Sequence, residues 1–347
     1  METLQAKRKD YLDIARGIGI LLVVLGHCPL VYNPLKQWIY SFHMPLFFII
    51  SGMVWDRASH EKKGYFSGRF IADKVKRLII PCFIWGIFYL LLDAILDHSF
   101  SIKRIIYLLY GSQAGFQRSG SLSSLWFMTC MFLSVCAFEL LQRCFAKAKH
   151  RLPALLCVSA AFAAAGLFLP RIAVGYPWCA DVAFLAAAFM IWGHAAANLL
   201  ERQNDRKAYF VILPLIPALA ASLTFVFNLP HIAINNADLA GRYFGSPPLY
   251  LLNAAAGSAF VLLFSVLLGK IRIITTVFSY LGRRTIPIFI IHKPIVRALK
   301  HIGERFAIPA LITVTVSAAA AIVLSLLIYQ IIKRILPIAF GESRKAG

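Results

Sequence analysis

The sequence predicts an all-α protein, a polytopic integral membrane bundle of about ten transmembrane helices with both termini cytoplasmic. Three observations predict it. Sixty per cent of the 347 residues are hydrophobic and 15% are charged, with a mean hydropathy of +0.72, more apolar than a solvated surface sustains. The apolar residues fall into stretches of roughly 20, the length that crosses a bilayer core: 11–31, 39–55, 78–96, 122–141, 153–170, 178–199, 208–228, 248–269, 285–301 and 308–332. The lysines and arginines collect in short loops. A cytoplasmic N-terminus leaves about 25 of the 36 inside and about 9 outside, with Arg16 and Lys293 in spans. The formal charge of +21 is thus topological, and the expected surface partner is membrane lipid and not nucleic acid.

The first stretch is a retained span and not a cleaved signal: it is long, contains Arg16, and no small-x-small site follows. Within it, RGIGILLVVLGH places ten uncharged residues between Arg16 and His27. Eleven steps of about 100° return to the same helix face, so the two share one stripe about 16 Å apart. Either alone has a bland reading, Arg16 as a side chain reaching back to the interface and His27 as a polar contact between helices. Together on one face they point to a cavity or a path. Asp13, one turn before Arg16, can orient it.

The second span, IYSFHMPLFFIISGMVW, starts with His43 at about the depth of His27, so the two could meet across a cavity. Ser51 and Gly52 lie deeper, where close helix packing outweighs catalysis by Ser51. The first internal loop, 57–77, holds the densest basic patch, including Arg69, Lys74, Lys76 and Arg77. Further along, Asp93 sits in the third span, Glu139 at the inner end of the fourth, and His292 in the ninth, the span interrupted by Lys293, Arg297 and Lys300. Only two outward loops are long, 97–121 and 229–247, and these are the candidates to cover or admit an outside substrate. No repeat is visible, so 1–347 reads as a single membrane domain with a motif-bearing core over about 11–332. The seven cysteines have no paired or metal-ligand spacing and read as small core hydrophobes, with no metal expected. A histidine suited to take a hydroxyl proton near neutral pH and an arginine suited to hold phosphate or developing charge fit group transfer better than conduction.

Several stretches resemble the membrane acyltransferase 3 family, which acylates sugars of bacterial surface glycans: DIARGIGILLVVLGH (13–27), SFHMPLFFIISGMVW (41–55), KVKRLIIPCFIWG (74–86), SLWFMTCMF (124–132) and SYLGRRTIPIFIIHKPI (279–295). They occur in order over most of the chain and are most similar to the fucose O-acetyltransferase-like branch. The resemblance implies a bundle of about ten helices in the bacterial cytoplasmic (inner) membrane. It implies transfer of an acyl group, most often acetyl, from acetyl-CoA on the cytoplasmic side to a hydroxyl of an extracytoplasmic or lipid-linked glycan. Acyl-CoA is then a substrate and no cofactor is permanently bound.

By the same resemblance, Arg16 and His27 inherit the leading catalytic roles. We expect His43 beside them and Asp13, Ser51 and His292 in support. We further expect CoA phosphates to meet Arg16, Arg69, Lys74, Lys76 and Arg77, and the pantetheine arm to run along the apolar stripe toward His27. His27 would act as general base or carry the acyl group transiently. The hydrolase domain carried by some family members is not expected after GESRKAG. The competing class is a transporter or flippase for a lipid-linked sugar or small solute, with Arg16, His27, His43 and His292 lining its path; no repeat or broken-helix pair supports it.

Overall fold

The computed structural model describes residues 10–28, 33–96, 101–201, 209–232 and 237–343. Among these every named element is helical, and the one β-bridge, Asp238 with Tyr243, closes a turn. Residues 97–100 and 233–236 of the two long outward loops, and the end of the C-terminal tail, lie outside the described residues.

Contacts divide the chain into two interleaved units. The first comprises residues 1–50, 203–237 and 245–326. It holds α1 (Asp10–His27), α2 (Asn33–Met53) up to Ile50, α11 (Tyr209–Leu223), α12 (Phe225–Ile232), α13 (Pro247–Leu268), α14 (Arg272–Gly282), α15 (Thr285–Arg305), and α16 (Ala310–Ile335) up to Leu326. Here α1 packs on α13, α14 and α15, and α11 on α13. Its core includes the fully buried Ile14, Ile20, Ile39, Phe42, Leu46 and Tyr250. Asn253 of α13 donates to Thr224 Oγ1 at 2.8 Å and Ala221 O at 3.2 Å, satisfying the break between α11 and α12.

The second unit comprises residues 51–202, 238–244 and 327–347. It contains α3 (Arg57–Lys63), α4 (Gly68–Lys74), α5 (Ile80–Leu96), α6 (Ile102–Tyr110), α7 (Gln113–Arg118), α8 (Trp126–Cys144), α9 (Arg151–Phe168), α10 (Ala180–Glu201), and the end of α16. A π-turn, Val75–Ile79, joins α4 to α5. The basic stretch read as loop therefore opens the third long helix, which runs Gly68–Ile95. The packing of α10 on α8 and α9 forms this unit's centre. Gly52 permits a closer approach still: a Cβ there would fall 1.8 Å from Met190 O, so the Ser-Gly pair is a helix-packing device.

Each of the ten apolar stretches overlaps a helix among the described residues, and six of these helices are long and apolar enough to cross a membrane: Gly68–Ile95, Gly120–Cys144, Arg151–Phe168, Pro177–Asn198, Pro247–Leu268 and Ala310–Ile335. The others have visible reasons to miss that measure. Asp10, Asp13 and Arg16 charge α1; Lys36, Gln37 and His43 make the first half of α2 polar; α11 stops after 15 residues; Lys293, Arg297 and Lys300 interrupt α15. The two stretches read as long loops carry ordered structure among the described residues. Residues 102–118 fold into α6 and α7. The 238–244 turn is pinned by buried Arg242, which donates to Gly166 O at 3.0 Å and Leu169 O at 2.7 Å at the end of α9 and pairs with Asp181 at 3.4 Å. All seven cysteines are free thiols.

Candidate active site

Two glycines set α1 in place. A Cβ on Gly17 would lie 2.2 Å from Phe278 O, and one on Gly282 would lie 1.8 Å from Asp13 O, so α1 and α14 meet backbone to backbone. Gly282 is the glycine of the YLG motif, and its function is this contact. Asp13, buried, accepts from Arg16 Nη1 at 3.2 Å, which fixes the guanidinium one turn along the helix.

Arg16 and His27 do share a face of the unbroken α1, but Ile20 and Val23 lie between them on that face and are fully buried. The apolar stripe expected to carry the pantetheine arm is therefore packed with protein in this structure. Of the part-exposed residues of α1, Arg16 and His27 stand at the two ends of this face, while Tyr11, Ile18, Leu21, Leu22 and Leu25 lie on the opposite one.

At the far end, His27 and His292 stand edge to face with ring centroids 5.0 Å apart. His43 joins them less directly: the Tyr40 ring lies 4.9 Å from His43 and 6.2 Å from His27. All three histidines use Nδ1 in the same way, on the carbonyl of the preceding helical turn. His27 bonds Val23 O at 2.8 Å, His43 bonds Ile39 O at 2.8 Å, and His292 bonds Ile288 O at 3.0 Å and Phe289 O at 2.8 Å. A carbonyl only accepts, so each Nδ1 carries a proton and the neutral ring keeps its lone pair on Nε2. The Nε2 of His292 is buried with no hydrogen-bond partner among the described residues. His43 and His292 each stand two residues before a proline inside a helix, Pro45 in α2 and Pro294 in α15, where the ladder lacks one donor.

The remaining expected residues belong to the second unit. Ser51 Oγ lies 3.9 Å from Met131 Sδ. Of the four cations of this unit expected to meet CoA, three are already engaged. Asp73 pairs with Arg77 at 3.0 Å and Lys74 at 3.8 Å, Lys74 also lies over the Phe70 ring, and Lys76 donates to Ser343 at 2.8 Å; Arg69 is exposed. Nearby is a cluster of which the sequence reading named only Glu139. That carboxylate accepts from Trp55 Nε1 at 2.8 Å and His60 Nδ1 at 2.7 Å, and Arg151 stacks over Trp55 at 5.3 Å. Beside it, exposed Glu61 is held below the ordinary carboxylate range by hydrogen bonds from Arg57 and Tyr65. Among the described residues no group of three or more His, Cys, Asp or Glu is placed to hold a metal.

Comparison with known proteins follows the same residues. The chain resembles the nodulation protein NolL of Mesorhizobium japonicum (strain LMG 29417 / CECT 9101 / MAFF 303099), 26% identical over 243 residues, which is 60% of this chain and 64% of that one. The chain thus matches somewhat under two thirds of that relative's length. No solved structure matches the chain. A family model described as an acyltransferase domain matches residues 9–330, from the start of α1 into α16 and across both units. The chain belongs to the acyltransferase 3 family, and six of its helices among the described residues are long and apolar enough to cross a membrane.

Proposed function

We propose that the protein takes an acyl group, acetyl in the simplest case, from acyl-CoA on the cytoplasmic side of a bacterial inner membrane and transfers it to a hydroxyl of an extracytoplasmic or lipid-linked glycan. The observation that carries the reading is His27. Its Nδ1 is tied to its own helix, its Nε2 is the basic atom, and a second histidine with the same tautomer stands 5.0 Å away.

In this reading, His27 Nε2 accepts the proton of the acceptor hydroxyl as the oxygen attacks the thioester carbonyl. The C–S bond breaks, CoA leaves as thiolate, and the imidazolium returns the proton to sulfur. Arg16, held by Asp13, binds negative charge on the donor. Attack by His27 Nε2 itself, giving an acyl-imidazole, uses the same free nitrogen. A flippase uses none of this tautomeric arrangement and consumes no acyl-CoA.

The test is made in inside-out vesicles from cells expressing the wild type or His27→Ala, supplied with radiolabelled acetyl-CoA. We expect thiol release and label in glycolipid or polysaccharide with the wild type, and a fall of about 100-fold or more with the variant at equal membrane abundance. A normally active His27→Ala protein would refute the assignment.

A further inference from the structure

The second unit holds a set of buried hydrogen-bond donors that the reaction above does not use. Arg151, the first residue of α9, gives one nitrogen, Nη2, to Gln142 Oε1. Its Nε and Nη1 are buried and meet no acceptor among the described residues. Gln142 is fully buried, and since its oxygen faces a guanidinium, which only donates, its amide orientation is fixed; Nε2 is then a donor, and it too has no partner. α9 begins here with no side-chain cap, adding the positive end of its dipole. Three orphan donors on two side chains ask for one acceptor-rich group, because an unanswered buried donor costs about 1–3 kcal/mol.

The surroundings narrow the choice. Two carboxylates are local, Glu139, which accepts from Trp55 and His60, and exposed Glu61, which accepts from Arg57 and Tyr65, and neither accepts from these three donors. The Arg151 guanidinium is braced over the rings of Trp55 at 5.3 Å and Tyr65 at 6.0 Å. Between these two side chains in sequence, Arg143, Lys147 and Lys149 of the α8–α9 hairpin are exposed. Arg57 donates to Ala146 O at 3.4 Å, so the start of α3 lies against the same hairpin. Exposed cations and a fork of fixed donors on one hairpin are the combination that favours a tetrahedral oxyanion.

We propose that Arg151 and Gln142, with the first turn of α9, bind a phosphate group that enters from the side of the α8–α9 hairpin. Its carrier is the nucleotide end of CoA or the headgroup of an anionic phospholipid. The choice of CoA as carrier rests on the acyl-CoA reading above, whereas the phosphate site does not.

The experiment uses the full chain in nanodiscs. In phosphatidylcholine discs, CoA affinity is measured for the wild type, Arg151→Gln and Gln142→Leu, the last keeping the guanidinium in case the first fails to fold. In discs containing phosphatidylglycerol, native mass spectrometry counts the retained anionic lipids. Thermal stability of the wild type and Gln142→Leu is followed in inorganic phosphate against chloride at matched ionic strength.

We expect a phosphate-specific rise in wild-type stability, absent in Gln142→Leu. If CoA is the carrier, its affinity falls about tenfold or more in Arg151→Gln. If a retained phosphatidylglycerol is lost in the variants while CoA binding is unchanged or absent in every protein, the phosphate site stands with a lipid carrier, and the vesicle assay decides the acyl-CoA reading separately. No phosphate effect on the wild type, with lipid retention and CoA affinity untouched by either substitution, overturns the proposal and leaves water to answer these donors.

Discussion

At the scale of single residues, the site depends on which ring nitrogen is free. His27, His43 and His292 each give Nδ1 to a carbonyl of their own helix, so each presents Nε2 as a base. His27→Gln is expected to lose transfer as fully as His27→Ala, since an amide fits the space but cannot take the proton; single-turnover assays at equal protein would show it. Asp13 acts through Arg16. Asp13→Asn should lower transfer about tenfold, ~1.4 kcal/mol of barrier, with the loss concentrated in the KM for acyl-CoA, and Arg16→Lys should fail to restore the wild-type value because an ammonium lacks the planar fork. A purely structural Asp13 would lower the melting temperature and leave KM unchanged.

These residues were legible in the sequence to different degrees. Arg16 and His27 are found by helical arithmetic, because an α-helix keeps its period regardless of its neighbours. The approach of His292 to His27 is a tertiary contact between α1 and α15, and no spacing encodes it. Arg151 and Gln142 were hidden for another reason. Arg151 sits in a basic loop, where the positive-inside rule already explains a cation, so only its buried and unanswered nitrogens distinguish it.

At the scale of elements, glycine contacts decide helix position. Gly17→Ala and Gly282→Ala would each place a methyl against backbone, 2.2 Å from Phe278 O and 1.8 Å from Asp13 O, and neither carbonyl can move without its helix. Each is expected to destabilise the first unit by about 1–3 kcal/mol or more and to lower activity with it, read as a fall in melting temperature in detergent. Gly68→Ala, with nothing within 4 Å, should be neutral in the same assay. The ten apolar stretches predicted from composition each overlap a helix among the described residues, whereas the helices inside the stretch 97–121 went unread. Ile102–Tyr110 and Gln113–Arg118 are too short to register as spans, and Arg242 anchors its turn through backbone carbonyls that leave no sequence signature.

At the scale of the whole molecule, the arrangement of inside and outside is open to a direct check. The topology expected from the sequence, N-terminus inside and ten spans, would place Cys144, exposed at the end of α8, on the cytoplasmic side. A variant retaining only Cys144 should react with a membrane-impermeant maleimide in inside-out vesicles and resist it in intact cells; labelling in intact cells would invert the topology.

The buried Ile20 and Val23 carry a further meaning for the membrane as a barrier. They fill the face of α1 between Arg16 and His27 with buried apolar side chains. In the membrane setting proposed above, protein packed along this face would let an acyl group be handed over without opening a proton path along the helix. Widening that face with Val23→Ser should raise the passive proton conductance of reconstituted vesicles above that of the wild type.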